Sequence, residues 1–548
     1  MSTSFQPFLI SEFKTGLSTY LSPWIRAQDA FEPLVNAYTY RGVVSKRAGM
    51  SQFGSQTPDK KPIMGVMRYL NESTGASQLV VATTVNLYKY VPGANSFVAV
   101  AGPPTFTGTI ANFFNWANWQ STAGGTSYLY MCNNKDAVTL FDGTTATQPA
   151  LTVDGAGQTI KTCLDVQVYK GRMLYIRPTL STDGIQNQSI YWSAVSNGTN
   201  VITDVAGNGG FLAAPTGDII QSTEFVRDAL VVFFSSSIWA FKFTGDQTQP
   251  FIWQKLDNIK TTNSPYASVD YDERASSVGN TGIVACDGVN VQRFDLPVID
   301  YYQDNFSQTY YGQAFSQRYD NMNQTWTLYV SSTANQAKFP VIGGVAPGSD
   351  SALIYNFLEN SWATYTFSIP LTCLGIFYKI SGNTWAQLIQ TWDSADFIWG
   401  SFQNQKNSTI LLAGDTTGNV WLMDDAKAVT DNGTPIIPDI VSTRWNPLML
   451  TGQKIQFGYI DIYYKKVSTD PLNPVQVTLN FYTDNSELWA AQRTLTLDGP
   501  KDSQFTFKRV YLNLVGEFIQ MEIDPNVDSF MQFLGFIVWV RRAGRLTP

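Results

Sequence analysis

The sequence predicts an all-β protein, with a β-propeller-like ring of about six to seven blades followed by a C-terminal β-sandwich-like domain. Three observations support this fold class. Helical periodicity is nearly absent, and β-branched and aromatic residues dominate between Gly, Asn and Asp turns. A strand–turn–strand unit recurs along most of the chain. In the last part of the chain, short segments alternate strictly between apolar and polar residues.

The recurring unit is a hairpin of two short apolar strands that closes on an aromatic residue or a methionine. Successive closing residues are about 50 to 70 positions apart, a spacing that suits blades of four short strands. Because a single blade cannot bury both faces, its neighbours must stack and the ring must close. An irregular set of β-meanders in sandwiches is the alternative. The closing residues are Tyr90, Phe141, Trp192, Phe241, Phe294, Tyr355 and Met423.

These patterns divide the chain into four parts. Residues 1–60 are an N-terminal docking segment with the first strands, and 61–430 are the propeller-like domain. Turn residues and two prolines mark a linker at 431–440, before the sandwich-like domain at 441–548. The stretch Ser331–Ser351 interrupts the repeat and is expected to be a projecting loop.

Charge and composition favour a structural protein over a nucleic-acid binder. The net charge is −7, and no Lys/Arg excess is present to neutralise phosphates. Only 14% of residues are charged, so much of the surface is neutral and hydrogen-bonding, which suits permanent subunit contacts. A mildly acidic wall past which DNA slides without binding is compatible with this balance.

The sequence leaves carboxylate, Tyr or Lys chemistry open but makes an enzyme a less favoured class. Histidine is absent, which removes the commonest general base and metal ligand. No catalytic set, cofactor or metal is expected, and the turn carboxylates Asp424, Asp425 and Asp431 are expected to be solvated. KISGNTW, at 379–385, matches only the end of a sialidase-type turn. The four cysteines are expected to be buried free thiols.

The chain is expected to be made in the cytoplasm and not to insert into a membrane. We find no N-terminal apolar core of a signal peptide and no run of about 18 apolar residues. The apolar stretch near the C-terminus, FMQFLGFIVWVRR, is too short to span a bilayer and indicates a buried strand.

The N-terminal stretch GLSTYLSPWIRAQDAFEPLVNAYTYRGVVSKRAGM places cations among aromatic and aliphatic residues. A tight turn at Arg41-Gly42 would bring three cations together, and arginines pair well with a partner's carboxylates. We therefore expect a docking element in which changing Arg41, Lys46 and Arg47 together to Ala leaves folding and melting unaltered but prevents assembly. The alternative is that the aromatic residues close the first blade while the charges are solvated. The candidate interface residues are Trp24, Arg26, Phe31, Arg41, Lys46 and Arg47.

The order of residues in this stretch resembles the N-terminal segment of tail nozzle (distal tail tubular) proteins of short-tailed bacteriophages. The matching residues are Gly16-Leu17, Pro23, Phe31, Asn36, Arg41-Gly42 and Lys46-Arg47-x-Gly49. The resemblance implies a homohexamer in the virion tail, synthesised in the host cytoplasm. It also implies an adaptor ring above, attached fibres or spikes, and genomic DNA passing through without specific binding.

A second class of function stays open: a receptor-binding or glycan-cleaving, sialidase-like propeller on a virion or cell surface. Such a glycan enzyme should show clustered carboxylates and arginines on one propeller face. A tube component should instead form rings.

The charge balance predicts weak binding of duplex DNA. Ordinary non-specific binders have Kd values of about 10⁻⁴–10⁻⁶ M at physiological salt, and this chain has fewer clustered cations than they do. Titration of a labelled duplex, followed by fluorescence anisotropy, should give a Kd weaker than about 1 μM. Tighter binding would contradict a channel that DNA passes without sticking.

Overall fold

The structure is a computed structural model that describes residues 4–545, apart from several short gaps and two longer ones. Within these residues the chain forms 45 strands and one short α-helix, which confirms the all-β class. The KISGNTW turn and the middle of the predicted loop Ser331–Ser351 lie outside the described residues. The gaps are 103, 121–124, 206, 259–263, 280–281, 333–347, 379–408, 450–451, 466–474, 485, 499–504 and 525–529.

Six short strands come before the first blade, and they belong to two different sheets. They are β1 (Gln6–Ser11), β2 (Gly16–Leu17), β3 (Ala30–Val35), β4 (Ala37–Tyr40), β5 (Val43–Lys46) and β6 (Gly49–Gln52). The β4–β5 hairpin turns at Arg41-Gly42, as the sequence predicts.

Seven four-stranded antiparallel blades follow, and one small accessory sheet takes two strands from after blade 2 and two from within blade 3. Blade 1 is β7 (Ile63–Asn71), β8 (Ala76–Thr83), β9 (Leu87–Val91) and β10 (Ser96–Ala99). Blade 2 is β11 (Asn115–Gln120), β12 (Ser127–Cys132), β13 (Thr139–Phe141) and β14 (Ala146–Thr147). The first accessory strands are β15 (Leu151–Thr152) and β16 (Thr159–Thr162). Blade 3 opens with β17 (Asp165–Tyr169) and β18 (Arg172–Ile176). The accessory strands β19 (Thr179–Leu180) and β20 (Gly184–Ile185) come before its last strands, β21 (Ser189–Trp192) and β22 (Gly210–Ala213).

Blades 4 to 7 complete the ring. Blade 4 is β23 (Ile220–Val226), β24 (Ala229–Phe234), β25 (Ile238–Phe243) and β26 (Phe251–Asp257). Blade 5 is β27 (Ser268–Asp270), β28 (Ala275–Gly279), β29 (Gly282–Cys286) and β30 (Val291–Arg293). Helix α1 (Ile299–Asn305) follows it. Blade 6 is β31 (Phe315–Tyr319), β32 (Gln324–Tyr329), β33 (Ser349–Asn356) and the first half of β34 (Ser361–Tyr378). The second half of β34 opens blade 7, with β35 (Thr409–Asp415) and β36 (Val420–Asp425). The 3₁₀ turns are Pro92–Ala94, Leu296–Val298, Tyr311–Gln313 and Asp320–Met322.

The first strands of the seven blades surround the propeller axis. Each inner strand lies beside the inner strand of the next blade, and β34 of blade 7 returns to β7 of blade 1. Between blades 3 and 4, the Thr223 hydroxyl donates to Asp165 at 2.6 Å. In six blades the predicted closing residue lies on the third strand. In blade 5 it is Phe294, which follows the fourth.

The N-terminal strand β6 supplies the missing fourth strand of blade 7. It pairs antiparallel with β36, in the register Trp421↔Gln52 and Leu422↔Ser51. The last blade is therefore completed by β6, a strand that precedes the first blade in the sequence. This pairing closes the ring.

The C-terminal domain is a β-sandwich that takes in N-terminal strands. The short strands β37 (Thr430–Asp431) and β38 (Thr434–Pro435) come first along the chain and extend the blade 7 sheet beyond β6. The remaining strands of the sandwich are β39 (Asp439–Ser442), β40 (Gln453–Lys465), β41 (Gln476–Thr483), β42 (Ala491–Thr496), β43 (Phe505–Gly516), β44 (Ile519–Asp524) and β45 (Gln532–Arg545). One sheet has the order β4-β5-β45-β40-β43, with β1 also on β45. The other, β3-β39-β44-β41-β42, is continuous through β2 and β34 with the sheet of blades 6 and 7.

A shared hydrophobic core joins the sandwich to the last blades. Phe13 lies 5.5 Å from Phe31 and 5.3 Å from Phe536, measured between ring centroids. The same cluster of buried side chains continues into blade 6 through Tyr355 and Trp362, whose rings are 4.5 Å apart. The two domains therefore stabilise each other by apolar burial.

No helix in the described part of the chain has the length and hydropathy of a membrane span.

Candidate functional site

The N-terminal segment shows where each predicted interface residue lies. Trp24 is 56% exposed, on a loop with three other exposed apolar side chains; we call this surface the apolar loop (Tyr20, Leu21, Trp24 and Ile25). Arg26 is buried and forms an ion pair with Glu32. Phe31 is 1% exposed and belongs to the shared core. Arg41 is exposed at its turn, 5.0 Å from the centre of the Tyr40 ring.

Arg47 is 3% exposed and is fully engaged within the chain. Its guanidinium Nη1 donates to Asp431 Oδ1 at 2.8 Å, and Nη2 donates to Asp431 Oδ2. It also donates from Nε to Asn36 Oδ1 at 2.9 Å and from Nη2 to the Thr366 carbonyl at 2.8 Å. This bidentate pair lies where the N-terminal segment crosses the end of blade 7.

The expected exposed cluster of three cations is therefore corrected. Arg41 is exposed, but Lys46 and Arg47 are both 3% exposed, because the strand after the turn is buried between the two domains. Replacing all three residues would disturb folding as well as any docking. The assignment of the N-terminal segment to an interface stays a prediction, and its exposed members are Trp24 and Arg41.

Two glycines of the N-terminal motif are required by close backbone contacts. A Cβ atom on Gly49 would lie 2.1 Å from the Thr430 carbonyl oxygen. One on Gly16, which has φ +67°, would lie 2.6 Å from the Trp362 carbonyl oxygen. Since backbone atoms cannot move aside as a flexible side chain does, these positions need glycine to let the segment pack against blades 6 and 7.

Sequence reasoning missed a large aromatic surface on the sandwich. We call it the aromatic face: Tyr459 and Tyr463 on β40, and Phe505, Phe507 and Tyr511 on β43. Tyr511 is 68% exposed and Phe507 is 52% exposed, on a strand that forms the edge of its sheet. The sequence did contain a sign of this surface. Apolar residues occupy both odd and even positions of β43, so they lie on both faces of the sheet, and a core on one face cannot bury both sets.

An ion pair orders the centre of the aromatic face. Arg509 donates from Nε to Asp461 Oδ1 at 2.7 Å and from Nη2 to Oδ2 at 2.9 Å. Its guanidinium lies 4.1 Å from the centre of the Tyr459 ring. The hydrogen bond from Arg509 holds the pKa of the Asp461 carboxyl below its ordinary value. The surface is thus an ordered mixture of aromatic rings and one arginine, the composition favoured at interface centres.

The second candidate site is a cavity of about 170 Å³ on the propeller axis. All seven inner strands contribute to its wall. Two carboxyl groups, Asp165 and Glu224, line it, and none of the described lining residues is Lys or Arg. Asp165 accepts hydrogen bonds from Thr223, Gln167 and the Val166 amide. Glu224 accepts from the Phe225 backbone amide and, at 3.5 Å, from the Ser268 hydroxyl.

Burial shifts both carboxyl groups towards their protonated forms. Desolvation raises the pKa of Asp165 to about 6. Desolvation, together with the negative charges of Asp165 and Asp270, raises the pKa of Glu224 to about 8. Near neutral pH the Glu224 carboxyl is therefore mostly protonated, whereas Asp165, whose pKa stays below 7, is mostly ionised.

At one end, the axial cavity adjoins a more open recess of about 390 Å³. Asp270, Asp272, Asp320 and Arg318 line this recess. Arg318 donates to Asp272 at 2.9 Å and also pairs with Asp320. Clustered carboxylates with one arginine are therefore present on one propeller face, but that arginine is already paired within the cluster.

The other candidate groups have structural partners. The expectation that the turn carboxylates are solvated is wrong for Asp431, which is 3% exposed and binds Arg47. Asp425 accepts from the Ser51 hydroxyl at 2.7 Å. Among the residues the structure describes, no group of three or more acidic or Cys side chains is placed to hold a metal ion. All four cysteines are buried free thiols, as predicted.

Comparisons with known proteins give little beyond the fold. No family model and no curated protein matches the sequence. Among solved structures, BBS1N in complex with ARL6DN is 10% identical, with 70% of this chain and 98% of that chain covered and a TM-score of 0.39. A glycoside hydrolase family 43 arabinoxylan arabinofuranohydrolase from Bacillus subtilis is 9% identical, with 96% and 97% covered and a TM-score of 0.23. Similarity this low says nothing about activity.

Replacing Arg47 with Met should destabilise the protein strongly. The change leaves Asp431 buried without its cation, which typically costs about 3–5 kcal/mol. Arg41→Met is the matched control, because it removes an exposed arginine and should cost less than about 1 kcal/mol. Denaturant unfolding followed by tryptophan fluorescence gives both values. Equal stabilities of the two variants would show that the Arg47–Asp431 pair does not support the junction.

Replacing Glu224 with Gln should change how stability depends on pH. The folded-state pKa of Glu224 is about 8, above its unfolded value of about 4.3, so wild-type stability falls as pH rises between these values. The Glu224→Gln variant lacks this pH-dependent loss of stability. Its free energy of unfolding, relative to that of wild type, should therefore rise from pH 5 to pH 8 and then level off. Unfolding curves at several pH values test this, with the exposed Glu72→Gln as control. A pH-independent difference would contradict a buried, protonated Glu224.

Proposed function

We propose that this protein is a structural virion component: the tail nozzle of a short-tailed phage, a ring through which genomic DNA is retained and then ejected. The observation that supports it best is the aromatic face, an ordered apolar surface on an edge strand. Large exposed apolar patches on soluble chains mark interaction sites. The N-terminal resemblance supplies the class of assembly, a homohexamer below an adaptor ring that carries fibres or spikes.

A ring needs two different contact surfaces on each subunit, because a head-to-tail interface joins unlike patches. The chain has two candidates on different sheets of the sandwich. The aromatic face lies on the β40–β43 sheet. The apolar loop lies by the other sheet, where the Arg444 amide donates to the Pro23 carbonyl at 3.3 Å. We infer that one surface of each copy contacts the other surface of its neighbour.

The DNA channel of such a ring would lie between subunits and not along the propeller axis. The axial cavity has a volume of only about 170 Å³. The major groove of duplex DNA, which is narrower than the duplex itself, is already about 12 Å wide, so a duplex does not fit inside this cavity. A duplex therefore needs a passage enclosed by several copies. The net charge of −7 suits such a passage, because it offers few cations to retain the phosphates.

The carboxylates at the end of the propeller axis favour the competing function, a propeller that binds or cleaves a glycan. Two observations weigh against it as the main function. Arg318 is already paired with Asp272 and Asp320, and neither the cavity nor the recess has a histidine, since the chain contains none. Turnover of glycan or peptidoglycan substrates by the pure protein, without ring formation, would favour this alternative.

Charges placed in the aromatic face should block assembly without unfolding the chain. Phe507→Asp with Tyr511→Asp puts two carboxylates on an exposed surface, where folding tolerates them and a buried interface does not. Sedimentation and negative-stain imaging, alone and with the adaptor ring, should show six-fold rings for wild type and monomers for the variant. Val289→Asp, an equally drastic change on the exposed rim of blade 5, should still form rings. Wild-type protein that stays monomeric with the adaptor would overturn the proposal.

A further inference from the structure

We propose that the axial cavity of the propeller is a binding site for a small primary ammonium ion, held by the Glu224 and Asp165 carboxylates against aromatic walls. This inference is independent of assembly, because the cavity lies within one chain and its lining comes from the inner strands alone.

The first argument is the unbalanced charge of the cavity. Two carboxyl groups reach an enclosed space whose described lining contains no basic side chain. Buried charges in proteins are normally paired, and Arg318, the arginine of the adjoining recess, is committed to Asp272 and Asp320. A cationic ligand would supply the missing partner.

The second argument concerns hydrogen bonds. Asp165 accepts from three donors, whereas the Glu224 carboxyl accepts only from the Phe225 backbone amide and, at 3.5 Å, from the Ser268 hydroxyl. A primary ammonium has three donors and no acceptor. It suits an acceptor-rich wall of Glu224, Asp165 and the hydroxyls of Ser268 and Ser316.

The third argument distinguishes an organic cation from a metal ion. Phe114, Trp116, Tyr266 and Phe315 also line the cavity, and aromatic rings attract organic cations through their faces. Hard metal ions need six or more oxygen ligands, and no described cluster is arranged to hold one. The volume of about 170 Å³ suits an ammonium with a short alkyl chain.

Binding should release a proton. In the empty cavity burial keeps Glu224 protonated near neutral pH, and the charges of Asp165 and Asp270 act in the same direction. When the ammonium enters, the Glu224 carboxyl gives its proton to solvent and the carboxylate pairs with the ligand. Affinity should therefore rise as pH increases from 6 to 8. Asp272, Asp320 and Arg318 at the mouth, and Tyr266 in the wall, are the other titratable groups facing this region.

The test is calorimetric titration of the full chain with propylamine at pH 7. We expect saturable binding, at least about tenfold tighter than for 1-propanol, which has the same shape without the charge. Repeating the titration in two buffers of different ionisation enthalpy should show release of about one proton. Glu224→Gln should weaken binding at least about tenfold, and the exposed Glu72→Gln should not.

Asp165→Asn is the second variant, on β17 of the adjacent blade 3. Circular dichroism checks that each variant is folded. Loss of propylamine binding in both folded variants supports the site. Saturation by glucose or Mg²⁺ in place of propylamine, or equal binding of propylamine and 1-propanol, would overturn it. So would unchanged binding in folded Glu224→Gln, or no binding at all.

Discussion

The buried pair of Arg47 and Asp431 is the interaction on which the rest of the architecture depends. It joins the N-terminal segment to the strand that follows the last blade, at the point where β6 completes that blade. Asn36 and the Ala48 and Thr366 carbonyls accept the remaining guanidinium hydrogens, so the arginine is satisfied although it is nearly inaccessible to solvent. A buried arginine is stable only with such complete pairing.

This junction joins the two domains through shared strands and a shared core. The first strands of the chain are divided between the sandwich and the propeller, and the aromatic core around Phe13, Phe31 and Phe536 continues towards Trp362. Loss of the N-terminal segment would open blade 7 and remove strands from both sandwich sheets. The segment that resembles a family motif is thus first of all an architectural element, whatever partner its exposed residues contact.

The same architecture separates two surfaces with different chemistry. The outer side of the β40–β43 sheet exposes aromatic rings around Arg509, which suits a permanent protein contact. The propeller axis instead encloses carboxyl groups whose pKa values burial raises and which have no basic side chain beside them among the described residues of the cavity, which suits a small cationic ligand. One surface concerns how copies assemble, and the other concerns what a single copy binds.

The sequence by itself determined the fold class and most of the blade hairpins. Hairpins such as Leu79–Tyr90 and Leu230–Phe243 are local: adjacent strands pair across short turns, and alternation shows which side is buried. The buried state of the four cysteines also followed from their apolar surroundings.

Only the tertiary structure decided what the N-terminal cations and the scattered carboxylates do. Arg47 and Asp431 are separated by 384 positions, and Asp165 and Glu224 come from different blades, so no local spacing could pair them. Arg41 and Arg47 look alike in sequence, yet one lies at an exposed turn and the other in a closed junction. Burial depends on which distant strands pack together, and that is settled only when the ring closes.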